Sequence, residues 1–240
     1  VFPLEYELGP SGITAKISTP AGPVAVKSPL VGEYNLQNIL AATGAAVAIG
    51  IKTEAIGAGI AGLKRVPGRL DRLDVSGTGI TAYVDYAHTG DALERALCAI
   101  RRISTGRLIT VFGCGGNRDR LKRPEMGEVS TRLSDVTIVT SDNPRDEDPL
   151  EIIAEVEAGI KGIRRLDETA TPEGKAYMVI PDRAEAIKRA AAIAGAGDTI
   201  IVAGKGHEDY QILKGIKMPF DDMKELRAAL TGLQGDSVRQ

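Results

Sequence analysis

Leu108-Ile109-Thr110-Val111-Phe112-Gly113-Cys114-Gly115-Gly116-Asn117-Arg118-Asp119-Arg120 is the stretch that decides the fold class. An apolar run stops abruptly at glycines, and charged residues follow at once. That break marks a buried strand leaving through a tight loop for a helix. The same break recurs after apolar runs at 80–84, 136–139, 177–180 and 199–202. The intervening stretches at 91–103, 124–133, 149–160 and 182–194 have helical patterning, as does a last one near 221–230. Asp91 followed by Glu94 predicts a capping box with Asp91 as the cap. Alternation of strand and helix predicts an α/β fold: a mostly parallel sheet with helices on both faces.

Upstream the pattern differs. Residues 1–30 alternate apolar and polar positions, as in Ile13-Thr14-Ala15-Lys16-Ile17, and are punctuated by Gly9-Pro10-Ser11-Gly12 and Pro20-Ala21-Gly22-Pro23. This predicts short antiparallel strands. Helices are expected over 38–49, closed by Gly50, and over about 54–64. Val66-Pro67-Gly68-Arg69 breaks the pattern, placing a domain boundary near residue 70.

Composition narrows the function classes. Lys and Arg total 30 against 32 Asp and Glu, a net charge of -2, which argues against a nucleic-acid groove or a polybasic membrane patch. There is no Trp and few other aromatics, so a base-stacking platform is not expected. Cys98 and Cys114 are too few for a disulfide scaffold, and a reducing, cytoplasmic setting fits. Val1-Phe2-Pro3-Leu4-Glu5 has no signal-peptide pattern, and no run reaches the roughly 20 apolar residues of a membrane span. These features lead us to expect a soluble protein, and the opening on Val1 in mid-domain-like sequence a piece of a longer one.

In an open parallel sheet, ligands bind where strand carboxyl ends give way to loops. Those loops contain Asp85-Tyr86-Ala87-His88-Thr89, the glycine-rich stretch from Gly113, Ser141-Asp142-Asn143-Pro144-Arg145, Pro181-Asp182-Arg183 and Gly204-Lys205-Gly206-His207-Glu208-Asp209. Both histidines of the chain fall on this edge. A single polar loop needs no explanation beyond exposure; the set together makes a candidate site. Gly113-x-Gly115-Gly116 is not a dinucleotide fingerprint, because Arg118 stands where the third glycine is required. Arg118, Arg120, Lys122 and Arg123 suit phosphates or carboxylates, or form a solvated cluster at a helix start. Cys114 reads as a small packed thiol. His88, His207, Cys114 and Asp142 lack zinc-site spacing, so no metal ligands are assigned. Gly204-Lys205-Gly206-His207 is not a P-loop.

Six ordered motifs carry a resemblance: Gly32-x-Tyr34-Asn35-x-x-Asn38-x-Leu40-Ala41-Ala42, Pro67-Gly68-Arg69, Asp85 to Thr89, Phe112 to Asp119, Asp142-Asn143-Pro144-Arg145, and Gly204 to Gln211. In this order they resemble the Mur ligases, and within them the branch that adds the third residue of the peptidoglycan stem peptide. The resemblance implies that residues 1–70 are the C-terminal part of a central ATP-binding domain and 71–240 a Rossmann-like, amino-acid-binding C-terminal domain. It implies a chain without the family's UDP-binding domain, P-loop and carbamylated lysine, hence with no catalytic residue of its own and inactive alone. The implied reaction is amide-bond formation through an acyl phosphate. Its substrates are ATP, a UDP-muramoyl dipeptide and meso-diaminopimelate, with Mg2+ held by ligands outside this chain. A cytoplasmic monomer without nucleic-acid or membrane partners is expected.

Residue by residue, the resemblance places Asn38 at the adenine, Arg69 at the nucleotide phosphates, Asp85 at the ribose and His88 nearby, with Asn35 mainly a helix cap. Asp142, Asn143, Pro144 and Arg145 form the motif of members that accept meso-diaminopimelate rather than L-lysine. Arg145 and Arg118 would take the extra carboxylate, and Glu208 with the backbone of Gly204 the distal ammonium. Two departures from the family pattern are Gly90 after Thr89, where Pro is usual, and Asn117 before Arg118, where Asp is usual. Two rival readings stand beside this one: a non-catalytic module binding an amino acid or nucleotide, and a ligase of the folate polyglutamate synthetase branch.

Overall fold

The computed structural model describes residues 1–75 and 77–237, in two compact units, Val1–Val66 and Pro67–Gln240. In the first unit, β1 (Phe2–Gly9), β2 (Gly12–Ser18) and β3 (Val24–Ser28) form an antiparallel sheet in that order. Strict alternation buries Ile13, Ala15 and Ile17 of β2 and Val24 and Val26 of β3 on one face. Helices α1 (Glu33–Ala48) and α2 (Thr53–Gly62) cover that face through Leu36, Ile39 and Ile56.

Helix α1 begins five residues before the predicted start. Gly32 stands at its N-cap with φ 91, a conformation open to glycine. Asn35 therefore lies inside the helix rather than capping it, and its Nδ2 donates to Val31 O at 2.8 Å. Gly50 follows the helix at φ 80, the left-handed turn expected of it.

The second unit is built on a seven-stranded sheet. In chain order its elements are β4 (Asp71–Asp74), β5 (Thr81–Asp85), α3 (Gly90–Arg101), β6 (Leu108–Phe112), α4 (Lys122–Leu133), β7 (Val136–Val139), α5 (Pro149–Glu157), β8 (Arg164–Arg165), β9 (Ala176–Val179), α6 (Arg183–Ile193), β10 (Thr199–Ala203), β11 (Tyr210–Leu213), β12 (Ile216–Pro219) and α7 (Asp222–Ser237). The spatial order is β4-β5-β10-β6-β7-β9-β8; β4 runs antiparallel to β5 and the other pairs are parallel. Strands β11 and β12 form a separate hairpin. Every residue of β6, β7 and β10 is buried, as continuous apolar runs covered on both faces require.

One core layer joins Ala82, Val84, Ile109, Val111, Ile138, Ile200 and Val202 to Ala186, Ile187 and Ala190 of α6 and Leu226 and Leu230 of α7. On the opposite face, Thr110 and Thr137 bond to Ser134 and Ser130, tying β6 and β7 to the end of α4. Helix α3 packs beside α4, and presents Leu93, Ala96, Leu97 and Ile100 as a helical stripe. Its cap is Thr89, whose hydroxyl accepts from Ala92 N, and not Asp91. The helix starts two residues earlier than the box requires, which places Asp91 in its first turn, paired with Arg95 at 3.0 Å. Among the described residues, no helix is long and apolar enough to cross a membrane.

The boundary falls between Val66 and Pro67, a few residues before the predicted one. Residues 67–70 belong with the second unit because Asp85 Oδ2 accepts from Leu70 N at 2.7 Å and Gly68 O accepts from Tyr86 N at 2.8 Å.

Candidate functional site

The carboxyl ends of β5, β10, β6 and β7 are neighbours, so their loops converge on one edge. The centre of that edge is Asn143, buried in the loop after β7. Its Oδ1 accepts from Ile212 N at 2.9 Å and from Lys205 Nζ at 3.4 Å, and its Nδ2 donates to Glu208 Oε2 at 2.8 Å. One amide thus joins the loop after β7, the loop after β10 and the β11–β12 hairpin, by presenting donor and acceptor in opposite directions.

Arg145, two residues on, is held through its backbone. Its N–H donates to Ile212 O at 3.0 Å, its carbonyl accepts from Lys214 N at 2.6 Å, and it forms a parallel bridge to Leu213. It adopts φ 53, the left-handed region. Its Nη1 donates to Gly116 O at 2.8 Å and to Asn143 O at 3.4 Å. The glycines of the loop after β6 make this approach possible: a Cβ on Gly116 would lie 1.9 Å from Pro144 O, and one on Gly113 2.3 Å from Thr140 O.

Lys205 is fully buried, with Nζ 3.2 Å from Glu208 Oε2 and lying over the Tyr210 ring. Beside it, Gly204 at φ 117 leaves room for Asp142; a Cβ there would be 2.6 Å from Asp142 Oδ2. Burial pushes the Asp142 carboxyl up, against the pull of Arg183 and Lys205. Arg183 and Asp222, both fully buried, form a forked pair at 2.7 and 2.8 Å. Burial alone would lower Arg183, and Asp222 together with Asp142 and Glu208 more than offsets this, raising it. Arg183 also donates to Ala203 O, so it ties β10 to the start of α7.

At the β5 end, Asp85 is buried and its two oxygens accept from Leu70 N at 2.7 Å and Ala87 N at 2.8 Å. That fixes the turn carrying Arg69, whose exposed guanidinium lies 4.7 Å from the Tyr86 ring centre. His88 and His207 flank the same ring at 4.6 and 5.4 Å. Arg69, His88 and His207 thus share one exposed patch. Asn38 lies in the first unit, exposed on α1, where its Nδ2 is 3.4 Å from Asn35 Oδ1.

The basic run after β6 separates into different roles. Arg118 is exposed and bonds to the Asn117 carbonyl. Arg120 pairs with Glu155, Lys122 Nζ donates to His88 O at 2.7 Å, and Arg123 is fully buried between Glu147 and Glu155. Arg123 is therefore not the anion-binding group its position suggested: two carboxylates already neutralise it. Cys114 is a packed thiol against Met126 Sδ at 3.6 Å, and burial pushes its pKa up to about 12.

Sequence reasoning missed Lys205 as a charge partner of Glu208, the Arg183–Asp222 pair and the Glu147 brace. Lys205 had a signal, since it stands inside a quoted motif; the two ion pairs had none, because their partners lie far apart in sequence. Among the described residues no group of three or more His, Cys, Asp or Glu could hold a metal.

The chain matches the family model "Mur ligase, glutamate ligase domain" over residues 68–206. It is 52% identical over 227 residues to the UDP-N-acetylmuramoyl-L-alanyl-D-glutamate--2,6-diaminopimelate ligase of Geobacter metallireducens, a match covering 92% of this chain and 44% of the relative. A solved structure of a ligase of that name, 38% identical, superposes with TM-score 0.68 over 97% of this chain and 45% of its own. Mycobacterium tuberculosis folylpolyglutamate synthase shares the fold, at 18% identity and TM-score 0.65, over 84% of this chain and 44% of its own. The chain thus spans less than half the length of each. With the family model matched across the sheet and the loops that bear Arg69, Asp85, Asn143 and Arg145, this chain belongs to the Mur ligase family.

Proposed function

We propose that this chain is the amino-acid-receiving part of an ATP-dependent ligase that joins meso-diaminopimelate to UDP-N-acetylmuramoyl-L-alanyl-D-glutamate. The observation that carries the reading is the placement of opposite charges on either side of Asn143. Its carbonyl accepts from Arg145 and its amide donates to Glu208. Such a pair suits a carbon that bears both a carboxylate and an ammonium, which is how the diaminopimelate side chain ends. Lysine ends in an ammonium alone.

Glu208 receives Asn143 and Lys205 on the same oxygen, Oε2, which leaves Oε1 to accept the distal ammonium. Arg145 would take the distal carboxylate in a fork, with Arg118 as the second contact. Lysine would leave these guanidiniums without their anion, a loss of about 2–3 kcal/mol for a charged hydrogen bond. Asp142 acts beneath this layer: its carbonyl accepts from Gln211 Nε2 at 2.9 Å, and Pro144 fixes the backbone that presents Arg145.

Arg69, His88 and His207 around Tyr86 suit the phosphates of a nucleotide, and the exposed amide of Asn38 suits an adenine edge. Asp85 serves the nucleotide by holding the Arg69 turn, since its two oxygens accept backbone N–H groups. ATP supplies the phosphoryl group that activates the acceptor carboxylate. This chain holds the distal end of the amino acid whose other amine attacks. Mg2+ would accompany the ATP, with its protein ligands outside this chain.

The test is Arg145→Ala in the full-length ligase that contains this chain. The KM for meso-diaminopimelate rises by about two orders of magnitude, from about 2–3 kcal/mol, while the KM for ATP holds. An unchanged KM for meso-diaminopimelate, or wild-type turnover that prefers L-lysine, refutes the assignment.

A further inference from the structure

We infer that Glu147, braced by the buried Arg123, is a positioning residue that sets the separation of Arg118 and Arg145. The inference rests on the diaminopimelate reading above and goes beyond it to the device that spaces the two carboxylate-binding groups. Arg123 is fully buried in the first turn of α4. Its Nη1 donates to Glu147 Oε2 at 2.9 Å and to Glu155 Oε2 at 2.8 Å. Its Nη2 donates to Glu147 Oε1 at 2.9 Å and to Gly115 O at 3.3 Å. A buried guanidinium is tolerated only with such pairing, so Glu147 has little freedom to move.

The same Glu147 Oε1 accepts from Asn117 N. One carboxylate thus stands two residues after Arg145 and grips the amide immediately before Arg118. Arg123 keeps it charged, holding its pKa down to about 2. Asn117 and Arg145 have φ 52 and φ 53; asparagine adopts this left-handed region readily, whereas arginine keeps it only where the surroundings impose it. Asn117 is further locked to the neighbour of Glu147: its Nδ2 donates to Asp146 Oδ2 at 3.3 Å and its Oδ1 accepts from Asp146 N at 3.2 Å. An Asp at 117 could accept from Asp146 N but not donate to the Asp146 carboxylate. The departure at this position therefore tightens the link between the two loops.

A residue that only supports the fold would, when weakened, depress every kinetic constant together. A spacer between two ligand-binding groups moves the constant of one substrate. In the full-length ligase, Glu147→Gln raises the KM for meso-diaminopimelate about tenfold, the scale of one charge-assisted bond, and leaves kcat and the KM for ATP within about twofold. Combined with Arg145→Ala it adds little, because the clamp is already broken. Arg123→Lys, which keeps a buried cation but cannot grip both carboxylates at once, is the milder variant and shifts the same constant in the same direction. Glu155→Gln, which leaves the Glu147–Asn117 bond intact, does not shift it. Parallel loss in all constants, full additivity with Arg145→Ala, or an unchanged KM overturns the inference. A wild-type enzyme that does not use meso-diaminopimelate overturns the substrate reading instead, before any variant is compared.

Discussion

Asp222→Ala tests how the second unit holds its sheet edge together. Arg183 and Asp222 have no exposed side-chain surface and share two bonds, at 2.7 and 2.8 Å. Asp222 is the first residue of α7, and Asp221 caps that helix by accepting from Met223 N and Lys224 N. Removing the carboxylate leaves a guanidinium buried among carbonyls, with Ala203 O at 3.0 Å and Ser141 O at 3.5 Å. Breaking one side of a buried pair costs about 3–5 kcal/mol, against a total of about 5–15 kcal/mol for a typical domain. At a urea slope of about 2–3 kcal/mol/M, the midpoint falls by about 1–2 M. Urea titration of this chain, followed by far-UV circular dichroism, reads it directly. The double variant Arg183→Met/Asp222→Leu removes both charges and should recover most of the loss, since apolar replacement of a whole buried pair is often neutral. A midpoint shift below about 0.3 M for Asp222→Ala, or a double variant as unstable as the single one, refutes the reasoning.

Two further outcomes follow from titratable groups. Iodoacetamide at about pH 8 should modify the half-buried Cys98 of the native protein and spare Cys114, whose thiol is held up at about 12 by burial, with both reacting in urea; equal native rates by mass spectrometry would count against this. Glu147 titrates near 2 in the fold, mainly because Arg123 hydrogen-bonds it, against about 4.3 in an unfolded chain. A depressed carboxylate stabilises above its unfolded pKa and loses that contribution as pH falls through its folded one. Melting temperature should therefore drop between about pH 5 and pH 2, and Arg123→Met should flatten that part of the profile; equal slopes in the two proteins would show that the pair is not responsible.

The sheet was legible because its central strands are covered on both faces and so read as unbroken apolar runs. Strand β4 escaped because Asp71-Arg72-Leu73-Asp74 is an edge strand whose polar residues resemble a loop. The β11–β12 hairpin escaped because none of its residues is fully buried, which erases the two-residue alternation. The start of α1 was misplaced because Gly32 sets it by backbone conformation, with no side-chain cap to announce it. For the site, the loops were readable from their place at strand ends, and the pairings were not. Arg118, Arg120, Lys122 and Arg123 look alike along the chain. Only the packing of α4 against α5 decides that Arg123 meets carboxylates 24 and 32 residues away while Arg118 faces outward.

The hairpin that pins Arg145 has an evolutionary consequence. Its bonds to residue 145 run through the main chain, to Ile212 O and from Lys214 N, and so do not depend on which side chain stands there. Location and chemistry are thereby separable: one substitution can exchange the group that meets the ligand without rebuilding the loop that aims it. The left-handed backbone at this position favours asparagine or glycine over arginine. Drift toward thermal robustness alone would lead away from arginine, so its persistence in a lineage would report continuing selection on the choice of amino acid.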